Sequence, residues 1–142
     1  MNINIKLLDD RAQLPVYATS GAGCFDISCI EGADIAPGDS HNFSTGLAFE
    51  IPDGHVMLVF SRSGHGFKHD TRLSNAVGVI DSDYTGILRV KLRNDGNSTV
   101  AIAAGDRIAQ GLIMPVFAVG FTRVNELKET ERGDKGFGST DL

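Results

Sequence analysis

The sequence predicts an all-β fold, a barrel or a sandwich. Three observations predict it. Short apolar runs recur at roughly ten-residue spacing. Turn clusters rich in Gly, Pro, Asn and Asp separate them. No segment carries an uninterrupted helical stripe of apolar side chains.

The elements follow in order. Ile3, Ile5 and Leu7 alternate with polar neighbours, the period of a half-buried strand. Phe43, Leu47, Phe49 and Ile51 keep mostly even spacing between two turn clusters, Ala36-Pro37-Gly38-Asp39 and Pro52-Asp53-Gly54. Val56 to Phe60 is a short apolar run. Ser61 to Leu73 is the best helical candidate, but Gly64 and Gly66 each cost a helix about 1 kcal/mol, so at most one short helix is expected there. Ala76 to Ile80 is apolar or glycine and predicts a buried strand. Leu88, Val90 and Leu92 alternate with Arg89, Lys91 and Arg93, which predicts a strand with one charged face. Asn94-Asp95-Gly96-Asn97 and Ala104-Gly105-Asp106 read as turns. Ile108 to Ile113 and Val116 to Phe121 are the last apolar runs. The closing GDKGFGSTDL is glycine-rich and has no core of its own. One domain over residues 1–131 and a flexible tail over 132–142 are therefore expected.

Composition narrows the function classes. A chain of 142 residues with 42% hydrophobic residues fits one globular domain with a real core. No apolar run approaches a bilayer span, and MNINIKLLDD shows no basic-then-apolar leader, so a cytoplasmic setting without membrane contact is expected. The net charge of −5 argues against a general nucleic-acid binder. It leaves room for a small anion, because a few local cations focus a positive field in a cleft. The two cysteines, Cys24 and Cys29, lack zinc-knuckle spacing and read as reduced, mostly buried thiols.

Chemistry concentrates in few places. Asn75 to Gly86, NAVGVIDSDYTG, runs an apolar strand into an acidic turn, Asp81-Ser82-Asp83, with Tyr84 beside it. A turn aspartate is ordinarily structural. Placed after a buried strand, Asp81 is also expected to be partly buried, where a carboxylate beside an anion serves as a general base. SRSGHG at 61–66 sets a cation and two hydroxyls among glycines, which suits a phosphate or an ordinary polar turn. GDRIAQ at 105–110 by itself is a turn entering a strand. GDKGFGST at 133–140 lacks the Gly-Lys-Ser/Thr order of a nucleoside-triphosphatase loop. His65 and His69 sit four apart, but their glycines and the want of a third ligand argue against zinc.

Five segments in order resemble the five motifs of the trimeric deoxyuridine triphosphate nucleotidohydrolases (dUTPases): ATSGAGCFDI at 18–27, SRSGHGFKH at 61–69, NAVGVIDSDYTG at 75–86, GDRIAQ at 105–110 and RGDKGFGST at 132–140. The resemblance covers almost the whole chain. It implies a distorted jelly-roll β-barrel and hydrolysis of dUTP to dUMP and pyrophosphate with magnesium, by a homotrimer with shared sites.

By resemblance, Asp81 activates the attacking water. Val79 and Ile80 read uracil and the sugar through a tight hairpin, Asn75 contacts the base, and Arg89 borders it through its main chain. Tyr84 packs on deoxyribose. Arg62, Ser63 and Gly64 bind phosphate. Asp26 and Gln110 hold waters around the magnesium ion without ligating it directly, and Gln110 also faces substrate. Arg132, Phe137, Gly138 and Ser139 belong to a tail that covers uracil and the outer phosphates.

Departures from the pattern are Ser61 for a usual Pro, His65 for a frequent Leu, Gly23-Cys24 for Ala-Gly, and Asp70, Lys135 and Asp141 for Gly. A dCTP deaminase shares the fold, but its chemistry wants a Glu on the returning strand, where this chain has Lys91. A regulatory protein partner is compatible with the sequence, and no insertion between the motifs marks a surface for one.

Overall fold

The computed structural model describes residues 1–136. They form eleven strands and one short helix, in the jelly-roll arrangement the resemblance implies. The strands are β1 Asn4–Leu7, β2 Phe25–Ser28, β3 Ala33–Ile35, β4 Ser40–Ser44, β5 Leu47–Glu50, β6 His55–Phe60, β7 Thr71–Leu73, β8 Val77–Ile80, β9 Arg89–Asn94, β10 Val100–Ile102 and β11 Arg107–Pro115. Helix α1 spans Ser63–His69.

The ladders are short and antiparallel, in the orders β2-β11-β6-β8, β4-β9-β7, β1-β5 and β3-β10. Short ladders in several sheets are what make the barrel distorted. Between them lies one continuous core, with Ile27, Phe43, Leu47, Met57 and Ile108 fully buried. Each such side chain contributes about 1.5–3 kcal/mol relative to exposure.

Alternation drives β9 as expected. Val90 and Leu92 are buried, while Arg89 and Lys91 face outward. The run from Phe43 to Ile51 is not one strand. It breaks into β4 and β5 at Gly46, whose φ of +70° requires glycine. At the end of β9, Asn94 is fully buried and closes the turn that follows. Its amide donates to the carbonyls of Ile35 and Ser98 and accepts from Gly96 N–H. A buried amide is tolerated there because its partners are supplied.

Helix α1 forms despite Gly64 and Gly66. It buries no residue, so its order comes from its ends. Arg62 C=O accepts from His65 and Gly66. At the other end Asp70 adopts the left-handed region and donates to Gly66 C=O, while Thr71 Oγ1 donates to His69 C=O. Lys68 and His69 add cations to the last turn.

Two expectations fail. Ala76 to Ile80 is not a buried strand, since Val77 and Val79 are exposed and Gly78 and Ile80 only half-buried. Val116 to Phe121 forms no strand, and strand structure stops at Pro115. Residues 116–136 are exposed throughout, with Phe117 and Phe121 above 90% exposed. The apolar pattern is present, but among the described residues nothing packs on it. The cysteines fare better. Both are free, Cys29 is buried and Cys24 half-buried. Burial pushes the Cys29 thiol up, which favours the neutral form.

Gly46 and Gly54 give a controlled test of packing. Both have φ near +70°, at +70° and +73°. A Cβ on Gly46 would lie 2.7 Å from Ala12 Cβ, whereas one on Gly54 would meet open space. Gly54→Ala is expected to cost about 1 kcal/mol from backbone strain alone. Gly46→Ala adds overpacking, for a total of about 2–4 kcal/mol. Thermal denaturation at fixed protein concentration checks this, and equal losses at the two positions would refute it.

Candidate active site

The segment from Asn75 to Arg89 does not fold as a tight hairpin. Its outgoing arm, β8, pairs with β6, and its returning arm, β9, pairs with β4 and β7. The two arms belong to different sheets and splay apart. Leu88 enforces this. Its N–H donates to Leu47 C=O, and its C=O accepts from both the N–H and the hydroxyl of the buried Thr45.

The splay opens a slot of two adjoining hollows. One, of about 320 Å³, includes Asn75, Gly78, Arg89 and Lys91. The other, of about 310 Å³, includes Asp81, Tyr84 and Ile87. They share Val79, Ile80, Leu88 and Arg89. As the edge of its sheet, β8 keeps backbone N–H and C=O groups without ladder partners on the slot side. These are fixed donors and acceptors for a flat polar ring.

The slot's rim is backed by close contacts. Ala76 has φ +62°, and Val77 N–H donates to Asn75 C=O at 2.7 Å, a γ-turn with a left-handed central residue. That conformation is strained for alanine and fixes where Asn75 leaves the chain. A Cβ on Gly78 would come 3.2 Å from Val59 Cβ. Tyr84 hydroxyl donates to Ile87 C=O at 2.9 Å, and its ring lies against Gly86. Asp81 is exposed rather than partly buried. The apolar strand before it sits at a sheet edge, so its last carboxylate stands at the slot mouth in water.

A second cluster lies at the other end of β6. Register places Asp26 opposite Gln110, and Gln110 opposite Phe60. Directly opposed residues share a face, so three motifs distant in sequence converge. Asp26, whose side chain is 10% exposed, holds Arg62 Nε at 2.9 Å and Arg107 Nη1 at 3.0 Å. Gln110 amide donates to Ser61 C=O. Ser63 and Gly64 are exposed beside it. Both Asp26 oxygens thus carry guanidinium groups.

The two clusters do not meet within one chain. Ile80 opposes Met57 and Val77 opposes Phe60, so Asp81 leaves beyond one end of β6 and Arg62 beyond the other. At strand rise the separation is about 20 Å. Arg132 joins neither cluster. It is exposed and donates to the carbonyls of Lys135 and Gly136. Phe137, Gly138 and Ser139 lie outside the described residues.

Some lining residues were not expected from sequence. Asn42, Ser74 and Lys91 line the first hollow, and Asn42 faces Lys91 only through β4–β9 register. Scattered polar residues carry no local signal for such a meeting. Arg107 did carry one, since it stands inside GDRIAQ.

A family model described as dUTPase matches residues 10–141. The chain belongs to the dUTPase family. Curated dUTPase-family relatives agree, each called deoxyuridine 5'-triphosphate nucleotidohydrolase. The protein of Nautilia profundicola is 44% identical over 99% of both chains. That of Nitrosospira multiformis is 46% identical over 97% of this chain and 96% of its own. Among solved structures, the dUTPase of Staphylococcus bacteriophage 80alpha, in complex with dUPNHPP, has a TM-score of 0.92 at 28% identity over 99% of both chains. The D95N mutant dUTPase of S. aureus phage phi11, whose structure reveals the coordination of a structural Mg(II) ion, shares the fold at 24% identity, with a TM-score of 0.82 over 89% of this chain and 98% of its own. This dUTPase-family chain is therefore an enzyme of nucleotide metabolism, a hydrolase.

Gly86 offers a test of the Tyr84 contact. A Cβ there would lie 2.7 Å from Tyr84 Oη, so Gly86→Ala is expected to push the ring off Ile87 C=O. Activity on dUTP should fall about tenfold, the effect of roughly 1–2 kcal/mol of misplaced contact. Near-UV circular dichroism should change as well, because Tyr17 and Tyr84 are the chain's two tyrosines and it has no tryptophan. Unchanged kinetics with a displaced ring would remove Tyr84 from substrate contact.

Proposed function

We propose that this chain converts dUTP to dUMP and pyrophosphate, at sites completed by more than one copy in a homotrimer. The observation that carries the reading is the splayed slot, with a free backbone edge on one wall and Asp81 and Tyr84 at its mouth. The activity keeps uracil out of DNA and supplies dUMP for thymidylate synthesis, and a cytoplasmic setting suits it.

The slot edge along Val79 and Ile80 reads the uracil rim, with Asn75 at its side and the Arg89 main chain as a border. Cytosine swaps donor and acceptor at N3 and at the C4 substituent, and each buried polar group it leaves unpaired costs about 1–3 kcal/mol. Tyr84 fills the space a 2′-hydroxyl would need. Arg62, Ser63 and Gly64 bind the phosphates, with Gln110 beside them. Asp81 takes the proton of a water aimed at the α-phosphorus. Its exposure in the single chain gives water access, and a bound triphosphate sets the attacking geometry. The tail groups Arg132, Phe137, Gly138 and Ser139 close over base and outer phosphates.

The donor set fits magnesium held through water. Among the described residues no group of three His, Cys, Asp or Glu side chains gathers at one point. Asp26 and Gln110 sit side by side, both half-buried, and are too few to ligate an octahedral ion directly. When bound to the triphosphate, magnesium supplies neutralisation of the charge that develops on hydrolysis.

The trimer reading rests on the divided clusters and on the exposed apolar arm over 116–136. Composite sites bring Asp81 of one copy to the Arg62 cluster of another. Sedimentation of active protein should give three times the chain mass, and activity carried by a species of single-chain mass would exclude composite sites.

A nucleotide panel with pyrophosphate detection tests the activity. With magnesium the protein should cleave dUTP and ignore dTTP, dCTP and UTP. Asp81→Asn should lower turnover about 10²-fold or more with binding near normal. Wild-type turnover in that variant would remove Asp81 as the base.

A further inference from the structure

We propose that His65 is a positioning residue for Arg62, acting through the backbone carbonyl of Arg107. The inference rests on the assignment of Arg62 to phosphate binding. His65 Nε2 lies 3.0 Å from Arg107 O. Arg62 Nη1 donates to the same oxygen, also at 3.0 Å. One carbonyl therefore fastens both the guanidinium and the first turn of α1.

That carbonyl is available because β11 is irregular there. Its pairing with β2 shifts register between Arg107 and Ala109, and its pairing with β6 begins only at Gln110. A bulge at a strand end re-aims backbone groups away from the ladder. Here two side chains from the 61–69 segment take up the freed oxygen.

The acceptor dictates the imidazole tautomer. A carbonyl only accepts, so Nε2 carries a proton, and in the neutral ring Nδ1 is then bare. Nδ1 is buried and has no hydrogen-bond partner among the described residues. Burying an unpaired polar atom costs stability, and an apolar side chain of similar size would avoid that cost. The return is the single bond to Arg107. With it, Arg62 is fixed at three corners: Nε on Asp26, Nη1 on Arg107 O, and the chain around it through His65. Nη2 makes no hydrogen bond among the described residues and is left to meet an incoming anion. Without the bond, α1 has no buried residue to hold it against β11.

His65→Leu, His65→Ala and His65→Gln separate packing from hydrogen bonding. Leucine fills space without a donor, and glutamine restores a donor at similar reach. Binding is measured by calorimetry with the non-hydrolysable analogue α,β-imido-dUTP and magnesium. The Arg62 Nε–H resonance is followed by ¹H–¹⁵N NMR without ligand. His65→Leu and His65→Ala should both weaken binding about five-fold, the equivalent of one net hydrogen bond. Both should shift or broaden the Arg62 resonance. His65→Gln should restore the resonance and bind within about two-fold of wild type. An unmoved Arg62 resonance in His65→Leu overturns the proposal, whatever the affinity. Should wild-type protein fail to bind the analogue, the phosphate assignment falls separately, and the resonance alone decides the link from His65 to Arg62.

Discussion

Leu88 is the residue on which the slot depends. Its backbone is taken by Leu47 on one side and by Thr45, through two donors, on the other. A chain that turns at Asp81 to Gly86 would otherwise zip its arms into a two-stranded ribbon and satisfy its own edges. Three hydrogen bonds to the β4–β5 corner commit the returning arm to another sheet. The buried hydroxyl of Thr45 matters most, because it adds a side-chain donor to a carbonyl already in use and is itself shielded from water. The vacancy beside β8 is therefore a consequence of pairing elsewhere. A preformed gap of this kind needs little reorganisation to accept a planar ring.

The second cluster follows a different logic, that of charge. Asp26 holds two guanidinium groups at modest exposure, and neither cation has to be gathered from solvent when an anion arrives. Such a triad is weak evidence for stability, since desolvation offsets much of the attraction. Its value lies in order: it fixes long side chains whose freedom would otherwise be lost on binding. The same carboxylate sits within a net acidic chain, so the local positive field at Arg62 and Arg107 is built against the overall charge.

Much of this was legible in the sequence, and the failures have physical causes. The strand Arg89–Asn94 announced itself because one of its faces is buried and the other is wet. The motif residues announced themselves by order and spacing. The splay at Leu88 did not, because pairing between β9 and β4 is long-range and no local pattern encodes the choice of partner. Asp81 looked half-buried because an apolar run precedes it, yet an edge strand buries only what a neighbour covers. The one short helix expected within Ser61 to Leu73 does form, and contacts at its ends override the penalty of its two glycines. Val116 to Phe121 has strand chemistry without a strand, since a strand is a property of a pair.

The exposed arm has a consequence for how this protein comes into being. A barrel that ends at Pro115 can collapse as soon as its own residues exist, since among the described residues every strand partner lies within it. The arm that follows, with Phe117, Val119, Phe121 and Leu127 in water, gains nothing from that event. Until something covers it, each newly made copy displays a sticky strip, and its fate is a race between correct encounter and indiscriminate clumping. In the proposed trimer, dilution lowers apparent stability, since an encounter becomes rarer while the barrel itself is unchanged. Maturation of that proposed trimer is a second-order process appended to a first-order one.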